Sequence, residues 1–271
     1  MRIARICLLA ALCAAAALCQ TPTIVPGGVL NAASFDKSAG APLAPGQLVS
    51  IFGTNLAANL QQNDTVPLST SLADSVGVTF NGITAGLDFV SGGQINAQLP
   101  WNVLPNGGST GTATVVVTRN GVPSAQSVIN IAPTAPGIFS IPPGAGYAIA
   151  INAADGQLSA PPGAIAGLAT HPAKAGDVLI VYATGLGPVD SPIDNGADSL
   201  DKLRNTIARP AVLIGGVSAT VAFSGLTPQF PGVNQLNIVV PPGIQPSNSV
   251  PLQIQVNGGP LSTNQVIIAV Q

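Results

Sequence analysis

Charge is scarce in this chain. Only 7% of its 271 residues are charged, against roughly 25% in an average soluble domain. Glu is absent: all ten acids are Asp, set against eight Lys and Arg. Long exposed helices draw on Glu and Lys for propensity and for i,i+4 pairs, so helical bundles and coiled coils are excluded. Aromatic residues are few, with one Trp, two Tyr and seven Phe, and there is a single His. The three cysteines, Cys7, Cys13 and Cys19, all lie near the N-terminus. The rest of the chain therefore has no disulfide, thiolate nucleophile or Cys-ligated metal. What is plentiful is apolar residues at 46%, together with 31 Gly and 25 Pro. Abundant Val, Ile and Leu mean that low charge signals a packed core rather than disorder. The length suits one or two domains.

Residues 1–19, MRIARICLLAALCAAAALC, place Arg2 and Arg5 before an apolar run ending in small residues. That pattern predicts a signal peptide cleaved after Cys19, with 20–28 as a short linker. An uncleaved anchor is the alternative, although the run falls short of the ~20 residues that span a bilayer. Leu precedes both Cys13 and Cys19, which argues against lipidation. Without Arg2 and Arg5, six bases face ten Asp, a net charge of −4. Such a chain repels phosphate backbones, so nucleic acid is not an expected partner. Later apolar runs are interrupted by Gly, Pro or Asn, and no membrane span is expected in the mature chain. The expected location is extracellular or on the cell surface, with the periplasm as the alternative.

The chain repeats itself once. VLNAASFD (29–36) resembles AINAADGQ (150–157), and GQLVSIFGTNL (46–56) aligns with GDVLIVYATGL (176–186). VTFNGITA (78–85) matches VLIGGVSA (212–219), QINAQLP (94–100) matches QLNIVVP (235–241), and RNGVPSAQSV (119–128) matches VNGGPLSTNQV (256–266) with one insertion. Conserved order at offsets of about 121 to 141 identifies a duplicated unit with loop-length differences. Two domains follow, 29–134 and 135–271, divided near the Pro/Gly-rich APTAPGIF (132–139).

Within each unit the hydrophobic period is two. Val76, Val78 and Phe80 alternate with Gly77 and Thr79, and Ile95, Ala97 and Leu99 alternate with Gln94, Asn96 and Gln98. Successive strand side chains point to opposite faces, so these are half-buried strands. TVVVT (114–118) and VLIVYA (178–183) lose the alternation and read as strands covered on both faces. Asn-Gly pairs begin at Asn81, Asn106, Asn120, Asn195 and Asn257, and Asn-Gly suits the positive φ angles of tight hairpins. The expected fold is all-β, with two tandem Ig-like β-sandwiches.

NAASF (31–35), APGQLVSIFGTNLA (44–57), GGQINAQLPW (92–101), APGIF (135–139), ATGLGPV (183–189) and NQLNIVVP (234–241) resemble the acidobacterial, Solibacter-type uncharacterized C-terminal domain family. The resemblance runs from about Val29 to Gln271. It implies halves similar to IPT/TIG Ig-like domains and brings no activity or catalytic residue with it. The chain departs from the family's usual SPGQIN at Ser91-Gly92-Gly93-Gln94, and Asn234 stands where an aromatic is usual.

Four features bear on chemistry. Gly107-Gly108-Ser109-Thr110-Gly111 is a literal G-x-S-x-G, and Asp155 and His171 would complete a Ser hydrolase triad. A nucleophile elbow needs a strand before the Ser and a helix after it, and here TATVVVT follows. The single His and the absence of later Cys exclude catalytic zinc. Asp190, Asp194, Asn195, Asp198 and Asp201 crowd one loop and are candidate Ca²⁺ ligands. They lack the EF-hand register and its terminal Glu, and Lys202, Arg204 and Arg209 follow at once to balance the charge. Gln94, Asn96 and Gln98 form an amide row that would hydrogen-bond sugar hydroxyls or pair across strands. Recurrence of the row at Gln235 and Asn237 favours pairing. Trp101 is the candidate stacking platform for a sugar, or else the plug of the seam between the domains. The overall expectation is a non-catalytic extracellular module without cofactor, whose partner is a protein or, alternatively, a polysaccharide; a Ser hydrolase is the remote third.

Overall fold

The computed structural model describes residues 21–262 and 264–271, so the expected signal peptide lies outside the described residues. The first half contributes β1 (Thr23–Asn31), β2 (Leu48–Thr54), β3 (Gln61–Gln62), β4 (Gly77–Phe80), β5 (Ile83–Thr84), β6 (Gly86–Val90), β7 (Gln94–Gln98), β8 (Gly111–Arg119), β9 (Val122–Pro123) and β10 (Ser127–Ile131). The second contributes β11 (Gly137–Ile138), β12 (Ser140–Ile141), β13 (Gly146–Ala148), β14 (Ala150–Asn152), β15 (Val178–Thr184), β16 (Ala211–Ile214), β17 (Val217–Leu226), β18 (Asn234–Val239), β19 (Ser247–Gln255) and β20 (Val266–Val270). Helical geometry among the described residues is limited to two 3₁₀ turns, Ala73–Ser75 and Pro105–Gly107. The fold is all-β.

In the first unit one sheet runs β1-β2-β7-β6-β3 and the other β10-β8-β4-β5, with β9 beside β8. Alternation sends Ile51, Leu87 and Ile95 of one sheet and Val78, Val115 and Val117 of the other into a single buried cluster. In the second unit β17 joins the two layers. Its Val217–Ala219 stretch pairs with β16, and Thr220–Leu226 pairs with β18 after a register shift between Val221 and Phe223. A strand that changes sheets in this way makes the corner of a sandwich. Leu179, Leu236 and Ile238 on one side pack with Ile214, Leu252 and Ile268 on the other in a second cluster. Each such fully buried side chain contributes roughly 1.5–3 kcal/mol over an exposed one.

The repeat extends to individual hydrogen bonds. Asn31 Oδ1 accepts from Ala33 N at 2.8 Å, and its counterpart Asn152 Oδ1 accepts from Ala154 N at 2.9 Å. Gln47 Oε1 accepts from Ala44 N at 2.8 Å, and Asp177 Oδ2 accepts from Lys174 N at 2.9 Å. Ser124 Oγ accepts from Val117 N at 3.1 Å, and Ser262 Oγ accepts from Ile254 N at 3.2 Å. These short polar side chains satisfy strand-end amides that no ladder reaches.

Two local expectations are corrected. β8 and β15 alternate buried with half-buried or exposed residues, so neither is covered on both faces. Their outward Val, Ile and Tyr residues are β-branched or aromatic and suit a pleated, half-buried surface as well as a core. Asn81-Gly82 and Asn120-Gly121 do turn hairpins with paired positive φ angles of 49° and 79°, and 47° and 79°. Asn106-Gly107 instead lies in a 3₁₀ turn, and Asn195-Gly196 lies at the junction of the two units.

Candidate functional site

The second unit's loop 189–209 bends back against the first unit, and Asn195-Gly196 is its point of contact. Asn195 Oδ1 accepts from Trp101 N at 2.8 Å, while Asn195 Nδ2 donates to Asn102 Oδ1 at 3.0 Å. Gly196 N donates to Gln98 Oε1 at 2.5 Å, and Leu68 N donates to Gly196 O at 2.8 Å. Gly196 has φ +78°, and a Cβ there would press on the Leu68 backbone, so a residue without a side chain suits the position. On the other side of the seam Leu48 N donates to both Thr184 Oγ1 (3.0 Å) and Gly232 O (3.2 Å). Asn31 Nδ2 donates to Ala135 O at 2.8 Å. Hydrogen bonds from four separate segments therefore tie the units together.

This seam absorbs several of the residues nominated from sequence. Gln98 is 1% exposed and its amide belongs to the junction. Trp101 lies with its ring against Gly46, whose φ of +80° and missing Cβ make room for it. Its Nε1 is buried and has no acceptor among the described residues, while the residue as a whole is half-buried. Gln94 and Asn96 remain on the outer face of their sheet, where Gln94 Nε2 donates to Asn96 Oδ1 at 2.8 Å. Gln235 Nε2 and Asn237 Oδ1 repeat that bond at 2.8 Å. Asp88, beside Asn96, has its carboxyl pushed above the ordinary 3.8 by burial, with the Asn96 hydrogen bond opposing.

The structure does not gather the Asp-rich loop into a metal site. Asp201 meets Arg204 through both oxygens, Oδ1 at 2.5 Å from Nη1 and Oδ2 at 3.0 Å from Nη2, and this pairing holds its carboxyl below the usual range. Asp190 accepts from Asn205 N at 3.1 Å and Asn205 Nδ2 at 2.8 Å. Asp198 Oδ1 accepts from Leu200 N at 3.4 Å, and the Asp194 backbone carbonyl accepts from Ala197 N. Among the described residues no group of three or more His, Cys, Asp or Glu is placed to hold a metal ion. Arg204, 5% exposed and one of the three bases that follow the loop in sequence, is its centre: it also donates to Pro192 O and Ser199 Oγ, both at 3.1 Å.

His171 and Asp155 do meet, with Nε2 and Oδ2 2.8 Å apart, while His171 Nδ1 lies 2.8 Å from Pro172 O. Two acceptors around one imidazole favour its doubly protonated form. The Pro172 carbonyl and then Asp155 accordingly raise the His171 pKa. Asp155 is held below its ordinary value, first by the Gln157 N–H and then by His171. Neither ring nitrogen is left to take a proton from a serine. Ser109 is exposed in the loop before β8, so strand rather than helix follows it.

No protein-family model matches the chain, and no curated protein matches it. Among solved structures it is similar to SGBP-B of the Bacteroides ovatus mixed-linkage glucan utilization locus, solved with a mixed-linkage heptasaccharide. That likeness has 11% identity, covers 88% of this chain and 46% of that one, and has a TM-score of 0.32. It is also similar to the surface glycan-binding protein PbSGBP-B of Prevotella bryantii, at 13% identity, 90% and 41% coverage, and a TM-score of 0.26. The extracellular region of plexin A4 aligns at 10% identity, 92% and 18% coverage, and a TM-score of 0.25. The chain thus spans less than half the length of each. Likenesses at these scores carry no argument about ligand or activity.

Proposed function

We propose that the chain is a non-catalytic interaction module of the cell exterior, in which two Ig-like sandwiches are held in one relation and bind through loops or sheet edges. The observation that carries this reading is that its reactive side chains serve structure. Both His171 nitrogens are engaged, Asp201 is committed to Arg204, and Gln98 and Trp101 belong to the seam. The Arg-led apolar N-terminus supports exterior placement. No helix among the described residues is long and apolar enough to cross a membrane. A polysaccharide ligand has less support, because Gln94 and Asn96 bond to each other and the Trp101 Nε1 is buried.

A screen of chromogenic esters and glycosides against wild type, Ser109→Ala and His171→Ala tests the reading. Rates equal to the buffer blank are expected for all three. Turnover that disappears in either variant would overturn it.

A further inference from the structure

The two units differ at one strand edge. Each final strand receives one parallel bridge near its end. In the first unit Leu43 N donates to Asn130 O and Ala132 N to Leu43 O, at 2.9 and 3.0 Å; in the second Ala173 N donates to Ala269 O and Gln271 N to Ala173 O, at 2.9 and 2.8 Å. These bridges make β10 and β20 equivalent, and the pairings of Val128 with Thr114 and of Ile267 with Pro251 put Val128 where Ile267 stands.

In the second unit the edge is covered further. β13 runs parallel to β20, with Gly146 opposite Val266 and Tyr147 opposite Ile267. The covering strand comes from residues 139–149, which leave β15 after Ile138 and return to it at Ala150. The matching segment of the first unit is residues 25–28, a bulge within β1 between Ile24 and Val29. Among the described residues no covering strand is built there, and β10 ends its sheet.

The uncovered edge is suited to pairing. Asn130 O faces away from β8 to receive Leu43 N, and alternation along an antiparallel strand turns the N–H and C=O of Val128 to that same side. Val128 is 67% exposed. Ser127–Asn130 line a groove of about 190 Å³, with Val29 and Leu30 of β1 and Pro42 on its other walls. Exposed edges are ordinarily blunted by Lys, Pro or a covering segment, and SVINI contains no Lys or Pro.

We infer that the open edge of β10 is a peptide-binding site. It takes an extended segment of a partner protein, added parallel to Ser127–Val128 as β13 adds to Val266–Ile267 of β20, with an aromatic or bulky apolar residue opposite Val128. Main-chain bonds supply affinity in this mode, and the side chain facing the groove supplies selectivity. The inference rests on the interaction-module reading and names its ligand class.

The probe is a synthetic peptide of residues Ala145–Ala150, AGYAIA, titrated to millimolar concentration into the ¹⁵N-labelled chain. Saturable amide shifts are expected at Ser127–Asn130 and Val29–Leu30, with slowed exchange of the Val128 N–H. Val128→Pro removes that donor at an outward-facing position and weakens binding about tenfold. Val128→Lys keeps the backbone intact and blunts the same edge. A peptide with Gly in place of its Tyr binds more weakly. Absence of shifts at β10, or binding indifferent to both Val128 variants, overturns the inference. Sedimentation showing a dimer that Val128→Lys dissolves would give the edge to a second copy and overturn it too. None of these results touches the non-catalytic reading, which falls only to Ser109- or His171-dependent turnover.

Discussion

Gln98→Val removes one of the hydrogen bonds that join the two units. Val is the residue at the equivalent place in the second unit, Val239, so strand propensity and an apolar stem are retained. What is lost is the acceptor for Gly196 N at 2.5 Å and a longer bond from Nε2 to Gly46 O at 3.4 Å. Gly196 is buried, so its N–H is left without a partner. An orphaned buried donor costs about 1–3 kcal/mol, and the weaker second bond adds a few tenths. A loss of about 1.5–3 kcal/mol is therefore expected in urea unfolding. Gln94→Val is the control, because Gln94 lies on the same strand and face but bonds only within the first unit, to Asn96 at 2.8 Å and Ser50 at 3.5 Å. Being half-exposed, it should cost within about 0.5 kcal/mol. Equal costs for the two variants would refute the clamp.

Three further outcomes are expected. The His171–Asp155 pair should stabilise the chain chiefly between the ordinary pKa values of 3.8 and 6.5: the raised His171 contribution is full below 6.5 and lost as pH rises through its folded value, and the lowered Asp155 contribution is lost as pH falls through its own. The difference in melting temperature between wild type and His171→Gln, measured across pH, should peak in that window and shrink on either side. Asp88 has a raised folded pKa, so its contribution declines as pH rises from 3.8 through that value; Asp88→Asn should raise the melting temperature at neutral pH and flatten its pH dependence, as thermal scans would read. Arg204→Ala should cost about 1.5–3 kcal/mol by removing charge-assisted bonds to Asp201, Pro192 and Ser199, while added Ca²⁺ followed by chelator should leave the unfolding midpoint unchanged.

The strand content, the duplication and both cores were legible in sequence because each depends on local pattern. Period-two alternation at 76–80 and 94–99 assigns faces without reference to any distant residue. Asn-Gly at 81 and 120 sets positive φ angles within the turn itself. The repeat of Gln-x-Asn marked a structural pair, and the two 2.8 Å bonds show the reason. In the Asp-rich loop composition left two cations open, an added ion or the bases that follow in sequence, and Asp201 meets Arg204. Nothing in the spacing of Asp201 and Arg204 distinguishes a closed ion pair from a waiting ligand set.

By itself the sequence determined an all-β chain of two related units, because alternation and turn chemistry act over a few residues. Tertiary structure alone decided which amides face each other across the seam. Gln98 and Gly196 are far apart along the chain, and burial of the Gly196 N–H makes their bond matter. It also decided that the second unit's extra segment closes the β20 edge while, among the described residues, the β10 edge stays open. Main-chain pairing is blind to side-chain identity, so only the path of the backbone determines which edge is covered.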